Sequence, residues 1–135
     1  MVIRQKQDGD FAFVWPLHQQ TGLSPYQKSE FRAWFDNHAF WVAVSGETIT
    51  GFLALQNNID HQDLLLLTVD PLHRRGGIAR ALMQAILIPE NPIFLEVEDT
   101  NTAALALYLS LGFQTLRQRR DYYGPGRHAV VMRWG

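Results

Sequence analysis

The stretch that decides the fold is residues 64–84, which read LLLLTVDPLHRRGGIARALMQ. The apolar run before Asp70-Pro71 predicts a buried strand, because this dipeptide is a typical end of regular structure. After two arginines and two glycines, an apolar segment continues without a breaker until Pro89 and predicts a helix. A glycine turn between a strand and a helix is typical of phosphate-binding sites, since the N–H groups of the first helical turn attract anions. The arginines of this stretch would add positive charge to the same site.

Two other nucleotide-binding classes can be compared with this turn. A P-loop requires Gly-Lys followed by Ser or Thr, whereas Gly77 is followed by Ile78 and Ala79, so that class is excluded. A dinucleotide-binding turn requires G-x-G-x-x-G and an acid about 20 residues further on. Glu96 lies near that distance, but the glycines do not match and the chain after it is too short for a doubly wound sheet. A simple glycine-rich turn with surface arginines remains an alternative.

Composition bounds the class of protein. The chain has 135 residues, of which 47% are hydrophobic and 19% charged, as expected for one folded domain over residues 1–135. A net charge of −1 gives no general attraction to nucleic acid or to an anionic membrane. There is no cysteine, and the five histidines show no ligand spacing, so we predict no metal. No apolar run approaches the ~20 residues of a membrane span and the N-terminus lacks a signal peptide's apolar core, so we expect a cytoplasmic protein.

The remaining patterns predict an α/β fold with a mixed central sheet flanked by helices on both faces, in the order β-α-α-β-β-β-α-β-α-β-β. Asp10 is a candidate N-cap for the first helix, which Pro16 must kink or break. Ser24 and Pro25 would begin the second helix, with Gln27 completing a capping box, and this helix would run to about Asp36. The predicted strands are residues 2–5, 40–44, 49–55, 64–69, 93–98, 113–120 and 128–134, and the last two are joined by residues 121–127. The last helix would run from Thr102 to about Leu111.

The strand Ile93–Glu98 carries an unusual pattern. Glu96 and Glu98 lie on the same face, although a central strand between helix layers should be apolar on both faces. The two carboxylates therefore predict a face that opens into a wet cleft, where partial burial would raise the carboxylate pKa toward that of a general base. The alternative is an edge strand with one solvated face.

Residues 95–113, LEVEDTNTAALALYLSLGF, resemble the second half of GNAT acetyltransferases through the pattern L-E-V…N-x-x-A…L-Y-x-x-x-G-F. The turn from Arg74 to Ala79 resembles the family signature Q/R-x-x-G-x-G/A, which binds the pyrophosphate of acetyl-CoA. The likeness extends over residues 64–123 and is greatest to the ribosomal-protein alanine N-acetyltransferases, which acetylate protein N-termini. Glu98 departs from the pattern, since those enzymes carry an arginine there. This difference leaves the acceptor less determined than the cofactor.

The resemblance implies a role for two catalytic residues. Glu96 would be the base that deprotonates the incoming ammonium, directly or through water, and Tyr108 would be the acid that protonates the departing CoA sulfur. Phenol and thiol pKa values ordinarily differ by ~1.5 units, so this proton transfer is plausible in a dry site. Alternatively, Tyr108 is a core aromatic on a helix that is apolar nearly all round.

The resemblance also implies how acetyl-CoA is held. Backbone groups of Leu67, Thr68 and Val69 would meet the pantetheine arm. Asn101 would meet the amide region of the cofactor, although it is equally a candidate helix cap. The pyrophosphate would be held by the turn residues Arg74, Arg75, Gly76, Gly77, Ile78, Ala79 and Arg80.

The chain is thus expected to be an acetyl-CoA-dependent N-acetyltransferase in which a primary amine attacks directly, without an acyl-enzyme. The expected acceptor is a protein N-terminus, with a small amine or a lysine side chain as the alternative. An acidic, aromatic cleft lined by Glu98, Tyr122 and Tyr123 would suit a cationic amine. A protein of another class, a sensor that binds acyl-CoA without turnover, is the rival. The sequence leaves a homodimer open.

Overall fold

The computed structural model describes residues 1–22 and 26–135. Within these residues the elements follow the predicted order, with short 3-10 turns before α1 and after β4. The elements are β1 (Val2–Gln5), α1 (Phe11–Gln20), α2 (Lys28–Asn37), β2 (Ala39–Ser45), β3 (Thr48–Asn57), β4 (Gln62–Val69), α3 (Ile78–Ile86), β5 (Ile93–Glu98), α4 (Thr102–Ser110), β6 (Gln114–Gly124) and β7 (Arg127–Trp134).

The strands form a sheet in the order β1-β2-β3-β4-β5-β7-β6. Strands β4 and β5 are parallel, with Gln62 opposite Ile93 and Asp63 opposite Phe94. The pairs β1–β2, β2–β3, β5–β7 and β6–β7 are antiparallel. The predicted mixed sheet is therefore confirmed. The chain divides into two compact units, the first comprising residues 1–57 and 65–86 and the second residues 58–64 and 87–135.

The core of the first unit is aromatic. Phe31 and Phe35 of α2 are buried with Phe11 of α1 and Phe40 of β2, as the spacing of apolar residues in α2 predicts. The buried His18 stacks on Phe31 with their ring centroids 4.1 Å apart. Neither ring nitrogen has a hydrogen-bond partner among residues 1–22 and 26–135, and burial lowers the pKa of this imidazole. His18 therefore serves the core as a neutral aromatic ring.

Helices cover both faces of the strands in this unit. Phe52 and Ala54 of β3 belong to the aromatic core beneath α1 and α2. On the other face of β3, a Cβ at Gly51 would lie 3.0 Å from Ile78 Cγ2 of α3 and 3.0 Å from the Thr68 carbonyl oxygen. Glycine at position 51 thus permits the close approach of α3, which lies on the face opposite α1 and α2.

Asp10 is the N-cap residue of α1, as predicted, but its carboxylate makes no capping hydrogen bond to that helix. The carboxylate instead binds the Arg4 guanidinium at 2.7 and 3.0 Å and accepts the Gln7 N–H at 2.7 Å. Pro16 does not break α1, which continues to Gln20, because a proline removes only one helical hydrogen bond and the packed helix tolerates that loss.

The second helix begins later than predicted. Helix α2 starts at Lys28, and Gln27 occupies the N-cap position, where its N–H donates to Glu30 Oε1 at 3.0 Å. Gln27 and Glu30 form the capping box, so Gln27 is its first member rather than its last. The predicted roles of Ser24 and Pro25 lie outside the described residues.

Strand β4 is less buried than its leucine run predicts. None of its eight residues is buried, and Leu65 is 36% exposed. The prediction of a buried strand was therefore wrong. Within the first unit the second half of this strand offers half-open apolar surface next to the glycine turn.

The second unit is built on β5, β7 and β6. Ile93, Leu95 and Val97 of β5 are buried, and the Trp134 indole N–H of β7 donates to the Leu111 carbonyl oxygen just after α4 at 3.1 Å. Gly112 follows with φ +100°, the left-handed backbone that ends many helices. The end of α4 is thus fixed against β7.

The last hairpin is tighter than predicted. Strand β6 runs on to Gly124, so the connection to β7 is only residues 125–126 rather than 121–127. Asp121 has φ +55°, its N–H donates to His128 Nδ1 at 3.0 Å, and its carboxylate accepts the Gly126 N–H at 2.8 Å. These contacts hold the strand through an irregular stretch of pairing. The sequence here is polar and glycine-rich, which is why a loop was predicted.

Candidate active site

The glycine turn is fixed at its strand end. The Asp70 N–H donates to the Thr50 carbonyl oxygen at 2.8 Å, and Asp70 Oδ1 accepts the Leu72 N–H at 3.0 Å. The chain then makes a short 3-10 turn, Pro71–His73, before the arginines. The buried Ile78 begins α3 and anchors the other end of the turn. Both ends are therefore held while the residues between them are exposed.

Backbone conformation marks this turn as special. Arg75 has φ +70°, which is uncommon for a residue with a Cβ and costs roughly 1 kcal/mol or more. Gly77 has φ +76°, and a Cβ built on it would meet nothing within 4 Å. Glycine is therefore required at position 77 by backbone conformation, and the space beside it is open.

These features fit a phosphate group. The N–H groups of the first turn of α3 point out of the helix toward the exposed turn, and the helix dipole favours an anion there. Arg74 and Arg75 are exposed in the turn, and Arg80 is exposed on the first turn of α3. The half-buried Leu67, Thr68 and Val69 lead into the turn from β4.

Replacing Gly77 by valine should weaken acetyl-CoA binding by about tenfold or more, because a branched residue strains at φ +76° and fills the open space beside the turn. Titration calorimetry would measure the dissociation constant. The matched control is Gly46→Val in the β2–β3 turn, where φ is +63° and the added Cβ is also uncrowded. Equal losses of affinity in the two variants would contradict a local role for Gly77.

The carboxylates of β5 lie in the second unit. Strand β5 lies between β4 and β7 in the sheet, so the edge-strand alternative is wrong. The side chains of Glu96 and Glu98 are only 29% and 25% exposed, respectively, on the face opposite the buried Leu95 and Val97. The predicted combination of a central strand and a half-open carboxylate face is present.

Glu96 lies in a group of three side chains. Its Oε1 accepts a hydrogen bond from Arg119 Nη1 at 2.7 Å, and the Arg119 guanidinium lies 4.3 Å from the centre of the Tyr122 ring. A hydrogen bond to Glu96 is the largest cause of a raised pKa at Tyr122, and the same carboxylate raises the pKa of Arg119. Glu96 therefore contacts the Arg119 guanidinium and raises the pKa of the Tyr122 hydroxyl.

Glu98 is held differently. Arg127 donates two hydrogen bonds to its carboxylate, at 2.7 and 3.2 Å, and lies 5.9 Å from the Tyr123 ring centre. The hydrogen bond from Arg127 is the first cause of a lowered pKa at Glu98, although desolvation opposes it. The predicted rise in carboxylate pKa is therefore wrong for Glu98, because an opposite charge outweighs partial burial.

Tyr108 is deeply buried on α4. It is 6% exposed, its ring centroid lies 5.6 Å from that of Phe113, and burial raises its pKa to about 12. The hydroxyl thus stays protonated across the range in which enzymes work. Asn101 caps the same helix, because its Oδ1 accepts the Ala104 N–H at 3.2 Å. The capping role of Asn101 is confirmed, and its contact with the cofactor stays a prediction.

The predicted site residues fall into two groups. Leu67 to Val69 and Arg74 to Arg80 belong to the first unit, whereas Glu96, Asn101 and Tyr108 belong to the second. Arg119 and Arg127, the partners of the two carboxylates, are not among the residues predicted from the sequence. Strand β5 carries two carboxylates on one face, and the two strands that follow it in the sequence contain arginines. This pattern could have indicated the ion pairs, since pairs of opposite charge across strands are common.

Other kinds of site find little support in the described part of the chain. No group of three or more histidine, aspartate or glutamate side chains there could hold a metal ion. None of the helices described is long and apolar enough to cross a membrane.

Comparison with known proteins defines the class. Residues 36–115 match the acetyltransferase (GNAT) domain. The chain is 36% identical over 132 residues to the [ribosomal protein bS18]-alanine N-acetyltransferase of Escherichia coli, covering 91% of this chain and 89% of that protein. It is also 36% identical over 121 residues to the N-alpha-acetyltransferase RimI of Mycobacterium tuberculosis, covering 83% and 77% of the two chains.

Solved structures agree. The crystal structure of the ribosomal-protein-S18-alanine N-acetyltransferase from Escherichia coli has a TM-score of 0.85 and 25% identity, and the match covers 98% of this chain and 91% of that one. A putative acetyltransferase from Salmonella typhimurium, yncA, solved with its cofactor acetyl-CoA, has a TM-score of 0.83 at 18% identity, covering 98% and 92% of the two chains. This protein belongs to the GNAT acetyltransferase family. It is an N-acetyltransferase whose acetyl donor is acetyl-CoA.

Proposed function

We propose that this protein acetylates the N-terminal amine of a protein, and that a ribosomal protein with an N-terminal alanine is its acceptor. The observation that carries the proposal is the half-buried Glu96 carboxylate on a central strand, next to a cation and a phenol. The names of the relatives supply the acceptor class, since several are bS18-alanine N-acetyltransferases. A ribosomal acceptor would also place the reaction in the cytoplasm.

Glu96 acts as the base in this proposal. Its carboxylate accepts a proton from the acceptor ammonium, directly or through one water, because an amine is nucleophilic only when neutral. Acetyl-CoA supplies the activated acetyl thioester. The amine attacks without an intermediate acyl-enzyme, and the whole chain works as one N-acetyltransferase domain.

Tyr108 acts as the acid. Its hydroxyl donates a proton to the departing sulfur of CoA. Burial raises the pKa of Tyr108 to about 12, so the difference from an ordinary thiol exceeds the ~1.5 units expected from the residue types. The transfer remains reasonable because a thiolate in the same dry surroundings also becomes more basic.

The donor is held by the first unit. Arg74, Arg75 and Arg80 supply positive charge to the pyrophosphate, and Gly76, Gly77, Ile78 and Ala79 supply the turn and the N–H groups of the helix start. Backbone groups of Leu67, Thr68 and Val69 contact the pantetheine arm. Asn101, which caps α4, is also proposed to contact the amide region of the donor.

The charges near Glu96 bear on the alternative acceptors. Arg119 and Arg127 neutralise Glu96 and Glu98, so this face does not have the excess negative charge that would select a polyamine. A protein N-terminus, with one ammonium group, needs no such excess. A lysine side chain is the alternative acceptor. We leave the homodimer as a separate hypothesis.

A competition experiment tests the acceptor. The enzyme and acetyl-CoA are mixed with a library of peptides that differ in their N-terminal residue, together with polyamines, free amino acids and peptides whose only amine is a lysine side chain. We expect products with an acetylated N-terminal alanine to dominate when measured by mass spectrometry. Preferred acetylation of small amines or of lysine would refute the proposed acceptor.

A further inference from the structure

The proposed base already holds a cation. Arg119 Nη1 lies 2.7 Å from Glu96 Oε1, and the Arg119 guanidinium lies 4.3 Å from the centre of the Tyr122 ring. A carboxylate and an aromatic face are also the groups that attract an ammonium ion. An acceptor ammonium that gives its proton directly to Glu96 Oε1 needs the position that Arg119 now occupies.

We propose that Arg119 is a specificity-determining residue that fills the cation position on Glu96 until the acceptor ammonium displaces it. The proposal rests on the proposed role of Glu96 as the base. Arg119 thereby sets the affinity for primary ammonium groups, because every acceptor must compete with it.

Arg119 is suited to leave. Its side chain is 43% exposed, it lies on the exposed strand β6, and only one of its nitrogens donates to Glu96. Ion pairs with this exposure are weak, because solvent screens them and the long side chain gains freedom when it is released. The guanidinium can therefore swing away without any rearrangement of the sheet.

The neighbouring ion pair shows the contrast. Arg127 is more exposed, at 55%, but it donates to Glu98 through two nitrogens, an arrangement that holds the pair more firmly than a single hydrogen bond does. Two carboxylates on one strand thus have guanidinium partners of different kinds. The doubly bonded pair contains Glu98, which has no proposed role in proton transfer. The singly bonded pair contains Glu96, the proposed base.

A guanidinium is also an inert occupant. It keeps its proton at any working pH, so it neither transfers a proton to Glu96 nor becomes a nucleophile itself. Its release exposes the Glu96 carboxylate beside the Tyr122 ring at the moment an ammonium arrives. The exchange replaces one cation by another, so the carboxylate is not left unpaired.

The test measures acceptor binding without turnover. Enzyme saturated with CoA, which has no acetyl group to transfer, is titrated with a peptide that begins with alanine and, separately, with ethylammonium. We expect Arg119→Gln to lower the dissociation constant of both ligands by about fivefold. Arg120→Gln, which removes one charge from the next exposed residue of the same strand, should leave both constants within about twofold.

Two further comparisons separate competition from other roles. The same peptide with an acetylated N-terminus carries no ammonium, so Arg119→Gln should not tighten its binding. In turnover with acetyl-CoA, Arg119→Gln should lower the KM for the acceptor without lowering kcat, and Arg119→Lys should restore the KM toward the wild-type value. A role in positioning Glu96 would instead lower kcat.

Unchanged or weaker binding of both cations, or an equal gain for the acetylated peptide, would overturn the proposal. Tighter binding of ethylammonium alone would support displacement of Arg119 and would show that the alanine peptide is the wrong acceptor. Failure of the proposed function is therefore visible separately from failure of this inference.

Discussion

Replacing Glu96 by glutamine should lower the acceptor-dependent release of CoA about 100-fold or more, while acetyl-CoA still binds. The amide has nearly the same shape as the carboxylate but cannot accept the proton of the ammonium group. The rate would be measured with saturating acetyl-CoA and a peptide that begins with alanine, and donor binding would be measured by calorimetry. A change in the rate alone would assign Glu96 to proton transfer rather than to donor binding.

Glu98→Gln is the matched control for this result. Glu98 lies two residues away on the same face of β5 and is similarly exposed, but Arg127 lowers its pKa and makes it a poor base. We expect this variant to lose less than about fivefold in rate. Equal losses in the two variants would contradict the assignment of the base to Glu96, as would an active Glu96→Gln enzyme.

Replacing Tyr108 by phenylalanine should also lower the rate of CoA release about 100-fold, because the departing sulfur loses its proton donor. The ring is conserved in shape, and removal of a buried hydroxyl leaves the packing against Phe113 in place. The melting temperature should therefore stay close to the wild-type value. Tyr122→Phe, at an exposed tyrosine, is a control that should have a much smaller effect.

The pH dependence of the wild-type rate provides a second readout for Tyr108. Burial raises its pKa to about 12, so the folded enzyme keeps this proton at pH 10, where an ordinary tyrosine is already about half ionised. We expect no alkaline fall in rate up to about pH 10.5, with protein integrity verified at each pH by circular dichroism. A fall centred near pH 10 would show that the acid is a tyrosine with an ordinary pKa.

Local patterns explain the predictions that succeeded. Strand β5 has the predicted bounds because alternation of apolar and acidic residues defines it. Helix α4 begins after Asn101 and ends before Gly112. A capping side chain such as that of Asn101 marks the start of a helix, and a glycine that can adopt a positive φ marks its end. The order of elements along the chain and the mixed sheet follow from the sequence of such elements.

Long-range contacts explain what the sequence could not provide. Arg119 of β6 reaches Glu96 of β5 across the intervening strand β7, and no local pattern encodes how these three strands pair. The same is true of the high pKa of Tyr108, which results from burial by residues distant in the chain. The assignments of the acetyl-CoA site and of the base came from resemblance to a family. Comparison with known proteins confirms that the chain belongs to this family, and the roles of the individual residues stay predictions.

Strand β6 has a consequence for the behaviour of the protein in solution. It forms one edge of the sheet, and ten of its eleven residues are exposed. Such a long open edge is a template for pairing with another chain and hence for aggregation. The arginines at positions 117, 119 and 120 and the left-handed backbone at Asp121 oppose this pairing by repulsion and by distortion of the edge. An engineered enzyme that gains acceptor affinity by losing Arg119 would therefore give up part of its protection against self-association.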